Sequence, residues 1–288
     1  MTPVQRKDEA ASRLSAGRLS TGRSYDLGKM SFRDLAIAYS TYYAIDVYLV
    51  IAAISAAVAV HVSTGWIPAA LGGIAAVLVY PFAWYLIHRF ILHSRSLYKL
   101  PWAAGTWKRI HFDHHQDPHR LEVLFGALWT TLPTVAAVTL PVGWLLGGAV
   151  GGGAAGAASA LSAGLLTTCV YEFGHCVQHL NYKPKSEFLK RVKRWHLAHH
   201  FHNEQGNYGI MSFLPDRLFG TWYDAARDKP RSPTVFNLGY DQAEAVRYPH
   251  VARLTGAPPR DRPPMAGEQD NSQAAATELW MPRKRAGS

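Results

Sequence analysis

Cysteine is almost absent: the 288 residues hold two, Cys169 and Cys176. Seven residues apart, they would share a helical face yet lie too far apart to bridge, so disulfides are no part of the architecture. Acidic side chains are also scarce, 20 Asp and Glu against 30 Lys and Arg, for a formal net charge of +10. Charge of either sign is nearly missing from four apolar stretches, 42–60, 67–87, 123–150 and 154–176, where Asp46 is the main acidic residue. A secretory leader is not expected either, because residues 1–33 are too long, polar and basic for one.

Each apolar stretch is long enough to cross a bilayer, which takes roughly 20 helical residues. They pair into two hairpins, the second turning at the glycine-rich GGAVGGG. Lys and Arg number seven in residues 1–33, five in 94–122 and six in 181–203, and none in the connections 61–66 and 147–156. The positive-inside rule then puts both termini and the histidines described below on the cytoplasmic side. Because the cations flank spans, the net charge reads as a topology and anionic-lipid signal, and nucleic acid is excluded as a partner. The expected organisation is a mobile basic tail over 1–33, a membrane-embedded catalytic domain over 34–230, and a C-terminal extension over 231–288 that is disordered from about 257.

Ten of the 14 histidines fall into four clusters: His88 and His93; His111, His114 and His115; His175 and His179; His196, His199 and His200. On a helix, i, i+3 and i+4 lie on one stripe, so the two HxxHH triples and the HxxxH pair each point their imidazoles into one volume. The i, i+5 spacing of His88 and His93 splays two rings about 140° apart on a regular α-helix. That segment must therefore straddle two metals, or bend or end between them. Neutral imidazole suits iron and zinc better than magnesium or calcium. The clusters recur at offsets of 87 and 85 residues, and within each half the pair ends 18 or 17 residues before the triple, so each half is expected to supply five ligands to a two-metal site. Glu172, three residues before His175, is placed to accept a hydrogen bond from a ligand N–H. His119 and His202 are candidates for positions behind the ligands or facing substrate, and His61 and His250 for surface or interface positions.

With these motifs in hand, the chain resembles the fatty acid hydroxylase superfamily over roughly residues 40–225, the integral-membrane group of sterol desaturases, fatty acid 2-hydroxylases and carotenoid hydroxylases. The likeness extends to Tyr208-Gly209 and to Asp216 through Thr221. The order HxxxxH, HxxHH, HxxxH, HxxHH is most similar to that of fatty acid 2-hydroxylases. The resemblance implies metal-ligand roles for the same ten histidines. No HPGG haem motif is present, so the electron donor is expected to be a separate protein, of ferredoxin or cytochrome b5 type.

The expected fold is all-α and membrane-integral, four spans in two hairpins under a cytosolic helical cap that holds the dimetal site. The expected activity is O2-dependent hydroxylation of a lipid acyl C–H in a bacterial inner membrane. The expected cofactors are two iron ions, which zinc can replace in isolated protein. An all-imidazole site carries no negative charge of its own, which favours oxygen chemistry over simple hydrolysis. Two alternatives use the same residues: ring hydroxylation or desaturation of another lipid such as a carotenoid, and non-catalytic metal handling. The latter calls for ligands near the bilayer midplane, whereas these histidines lie at or beyond the span ends.

Overall fold

A computed structural model describes residues 25–256 and 259. It is helical, and no strand of a sheet occurs among the described residues; a lone β-bridge joins Asp26 to Arg120. In chain order, α1 (Phe32–Ser40) leads to α2 (Tyr43–His61) and α3 (Trp66–Ile87), and a π-helical turn, His88–Leu92, extends α3. Then come α4 (Pro101–Trp107), a second π-turn (Lys108–Phe112), and the short helices α5 (Asp113–Gln116) and α6 (Leu121–Leu124). The second hairpin is α7 (Leu128–Gly148) and α8 (Gly153–His179), followed by α9 (Glu187–Phe201), α10 (Leu214–Leu218), α11 (Gln242–Arg247) and α12 (Pro249–Thr255).

Four stretches are long and apolar enough to cross a membrane: Tyr43–His61, Trp66–Leu92, Leu121–Gly148 and Gly153–His179. The last is the hub, since α8 packs against α2, α3 and α7. Lipid offers no hydrophobic gain for helix association, so close backbone approach has to supply it. Gly72 on α3, Gly143 and Gly147 on α7 and Gly156 on α8 meet at one crossing, where a Cβ on Gly156 would collide with the Gly143 carbonyl. Hydroxyls inside the spans bond within the bundle: Thr139, Thr167 and Thr168 donate to carbonyls four residues back, and Tyr80 donates across to Thr168 at 3.1 Å.

The remaining helices and loops form a cap over the histidine-bearing ends of the spans. Tyr98, Trp107, Phe112, Leu238, Tyr240 and Val251 are its apolar centre, joining residues on either side of the bundle's sequence. One expected boundary differs from the observed one. Residues 25–33 are ordered: Leu27 is fully buried, its N–H donates to the His119 carbonyl, and its carbonyl accepts from Asn181 N–H. Residues 231–256, the part of the expected extension that precedes 257, pack into the cap, where Gln116 donates to the Phe236 carbonyl. The apolar residues of this extension alternate with loop, which left no periodic signal. The outer parts of both expected tails lie outside the described residues.

Candidate metal centre

The first π-turn solves the spacing problem of the first pair. The N–H of His93 donates to the His88 carbonyl five residues back, at 3.0 Å, so one π-turn brings both rings to the same side. Of the options left open by the sequence, straddling is thus not the one realised. The second π-turn carries His111 into the same volume.

The ten histidines assemble into two groups of five. One holds His88, His93, His111, His115 and His199; the other holds His114, His175, His179, His196 and His200, with the candidate ligand atoms of each group within 4.8 Å of one another. Each group takes four rings from one half of the sequence and one from the other. The exchanged ring is the middle member of each triple, His114 or His199. Neither triple therefore serves a single volume: i and i+4 stay together on the helix, whereas i+3 lies about 100° from i+4 and reaches the neighbouring group.

Within the groups the Nε2 atoms stand edge to edge. His88–His111 and His93–His111 are 3.0 Å apart, His88–His93 3.1 Å, His114–His175 3.1 Å and His179–His196 3.0 Å. His88, His115 and His199 donate their Nδ1–H to the carbonyls of Tyr208, Val235 and Gly206 at 2.5, 3.0 and 2.7 Å. In a neutral ring so anchored, Nε2 is a bare lone pair aimed at other lone pairs, a repulsive arrangement without a cation between them. The Nε2 atoms of His115 and His199 and both ring nitrogens of His200 are buried with no hydrogen-bond partner. Two nitrogens at right angles around a metal with bonds of about 2.1 Å would be about 3.0 Å apart, so the donor set and its spacing fit a transition-metal ion in each group.

Electrostatics agree. For the seven histidines outside the candidate spans, His93, His111, His114, His115, His196, His199 and His200, burial holds the imidazole well below its usual range. They are neutral at pH 7 and their lone pairs are available.

The acceptors behind the rings are main-chain carbonyls, and buried side chains hold those carbonyls in place. Asp216, fully buried, accepts from the N–H groups of Tyr208 and Gly209, both at 2.8 Å, and from the Thr221 hydroxyl at 2.7 Å. That fixes the Tyr208 carbonyl on which His88 depends, and accounts for the Tyr-Gly and Asp-to-Thr elements of the sequence. Glu204 accepts from Ser232 and Thr234, bracing the loop that presents the Val235 carbonyl. Lys193, buried, donates to the carbonyls of Leu180 and Tyr182 just past α8, tying α9 to the helix end that carries His179; burial pushes its ammonium down to about 8.

The other singled-out residues sit as follows. Glu172 is buried on α8 with the Gly126 N–H and the Arg109 guanidinium as polar neighbours, while the ring acceptors found are carbonyls. His119 lies behind the second group, its Nδ1 paired with the His179 carbonyl at 3.0 Å, and His202 pairs with the Lys229 carbonyl at 2.7 Å. His250 is an interface residue, paired with the Tyr98 carbonyl at 2.9 Å, and His61 ends α2, exposed.

A four-span helical protein whose cap encloses two five-imidazole groups defines a class of membrane protein with metal-binding capacity. The family model described as Fatty acid hydroxylase matches residues 73–221, and the chain belongs to that family. Among curated relatives, it is 32% identical over 147 residues to dihydroceramide fatty acyl 2-hydroxylase FAH2 of Arabidopsis thaliana, covering 50% of this chain and 57% of that one. It is 28% identical to FAH1 of the same plant, covering 51% and 59%, and 28% identical to human fatty acid 2-hydroxylase, covering 48% and 35%. The match thus spans little more than half the length of the plant relatives. A solved structure titled full length scs7p, with only the hydroxylase domain visible, aligns at 25% identity and a TM-score of 0.48 over 72% of this chain and 71% of that one.

Proposed function

We propose that this protein hydroxylates an unactivated C–H bond of a lipid acyl chain at a centre of two metal ions held by the ten histidines. The observation that carries the reading is the pair of five-imidazole groups at the ends of membrane-length helices, in a member of the fatty acid hydroxylase family. The relatives' names, fatty acyl and fatty acid 2-hydroxylase, support an acyl substrate and carbon 2 as the position.

The balanced change is R–H + O2 + 2 electrons + 2 protons to R–OH + H2O. One C–H bond and the O–O bond break, and the carbon gains one oxygen atom. Two iron ions held by the ten histidines would supply the redox chemistry for reducing O2; zinc, which the same imidazoles accept, would not. The residues of the chain do the rest. Burial of nine of the ten rings excludes water, and His93 is the partly open one. The carbonyls of Tyr208, Gly206 and Val235 hold ring orientation through Nδ1–H, which also fixes which nitrogen faces the centre. Electrons arrive from a separate protein of ferredoxin or cytochrome b5 type.

The catalytic unit, residues 34–230 with the packed segment through 256, lies in a bacterial inner membrane with both termini and the histidines cytoplasmic, as the distribution of cations favours. A thiol introduced at Gly151 should be labelled only from the opposite side; labelling solely from the cytoplasm would defeat that orientation. The activity is tested by mass spectrometry of lipids and pigments from cells grown under 18O2 with and without the protein. Acyl chains should gain one labelled oxygen, and label in carotenoid alone would reassign the substrate.

A further inference from the structure

We infer that α10 and the following Phe219 form a foot of the cap that is immersed in the bilayer, with membrane lipid itself, at the boundary of acyl chain and headgroup, as its ligand. The inference rests on the reading that α3 crosses a membrane.

Helix α10 is two-faced. Pro215 and Asp216 are buried, whereas Leu214, Leu218 and Phe219 are 52%, 63% and 54% exposed. Three large apolar side chains on one short element make a patch that water disfavours. The patch does not stand alone. α10 packs on α3, and the Phe219 ring stacks on Tyr85 of that helix, centroids 5.2 Å apart. One residue and one turn further along, Leu86 and Phe90 are themselves 48% and 59% exposed. The exposed face of α10 therefore continues the outer surface of a candidate span, and the occupant of one is the occupant of the other. The cation of the element does not oppose that depth: the Arg217 guanidinium lies over the Trp222 ring at 4.4 Å and the Trp195 ring at 5.4 Å, and Arg beside Trp is a pairing that membrane interfaces accept.

The position of the foot matters for the site. Tyr85 contacts Tyr208 at 5.9 Å between centroids, and Tyr208 contacts His88 and His93 at 5.5 and 5.2 Å. Two tyrosine rings thus separate lipid at Phe219 from the group that contains the one partly open histidine, whereas all five rings of the other group are buried.

The experiment uses the full chain in phosphatidylcholine–phosphatidylglycerol vesicles, carrying Cys169→Ala and one nitroxide-labelled cysteine, with the unsubstituted background as blank. Leu218→Cys and Leu214→Cys test the foot. Leu78→Cys, exposed on the middle of α3, reports the span, and Arg227→Cys reports water. Collision with dissolved oxygen relative to a water-soluble nickel complex should be several-fold higher at 218 and 214 than at 227, approaching the ratio at 78. If 78 reads as lipid while 218 and 214 match 227, the foot is overturned and the span stands. If 78 itself reads as water, the spanning reading falls and takes the foot with it.

Discussion

The Nε2 atoms of His114 and His175 stand 3.1 Å apart, although they come from opposite halves of the chain and 61 residues separate them. His199 makes the reciprocal crossing into the group built on His88, His93, His111 and His115. Neither five-histidine group can be completed by its own half, so the two hairpins must be docked before either group is whole.

His114→Ala and His199→Ala should therefore have matching effects. Each leaves a foreign group with four rings while its own half keeps all of its other ligands in place. Product formation should fall by more than about 100-fold, beyond the 10–100-fold typical of residues behind the ligands, while the four spans still insert. Lipid mass spectrometry and protease protection of the membranes check the two halves of that statement. Full hydroxylation with His199→Ala would remove the ten-histidine account.

Asp216→Ala tests the support behind the rings. It frees the N–H groups of Tyr208 and Gly209 and with them the carbonyl that orients His88. Metal affinity or turnover should drop by about 10–100-fold, and His250→Ala, which loses contacts to Tyr98 and Tyr248 away from the rings, should leave turnover near that of the parent. Equal, full metal retention and activity in both variants would show that carbonyl positioning is not limiting.

All ten histidines and the four spans were legible in the sequence, because imidazole clusters and runs of about 20 apolar residues are signals of residue type. The division into groups was not. It depends on two π-turns, which have no composition signature, and on a difference of about 100° between adjacent positions of a triple. The acceptors for His88, His115 and His199 were equally hidden, since a carbonyl of Tyr208, Val235 or Gly206 is the same atom pair at every residue. Asp216 was visible as a motif member but its task, holding two N–H groups, appears only in three dimensions. How the extension over 231–256 packs onto Gln116 and Tyr98 was not legible, because short helices between loops leave no period to read.

Metal-free protein should lose stability in acid. The unfolded histidines protonate near their usual value of 6.5, while the buried rings outside the spans resist until well lower. Below about 6.5 the unfolded chain thus binds more protons, and stability falls as the pH falls. Lys193 has the same slope at the alkaline end: between about 8 and 10.5 the folded chain has released a proton that the unfolded chain keeps, so stability rises with pH there. Melting in detergent after chelation, at pH values of about 5.5 and 7.5, should give the lower midpoint in acid; equal midpoints would contradict the burial of neutral rings.

Gly156→Leu should disrupt the helix crossing. The added side chain meets the Gly143 carbonyl and the Gly147 backbone, which cannot rotate away, and overpacking of this kind costs about 1–3 kcal/mol or more. Gly148→Leu, on the same hairpin with its Cβ position 3.9 Å from the nearest atom, should be tolerated. Detergent melting curves that rank the two equally would argue against close backbone packing as the cement of the bundle.

The most direct test is the metal content of the purified, unstripped protein. Elemental analysis against amino-acid quantitation should find two transition-metal ions per chain, iron when it is supplied during expression and zinc in its place when it is not. One equivalent or fewer in well-folded protein would contradict the two-metal account.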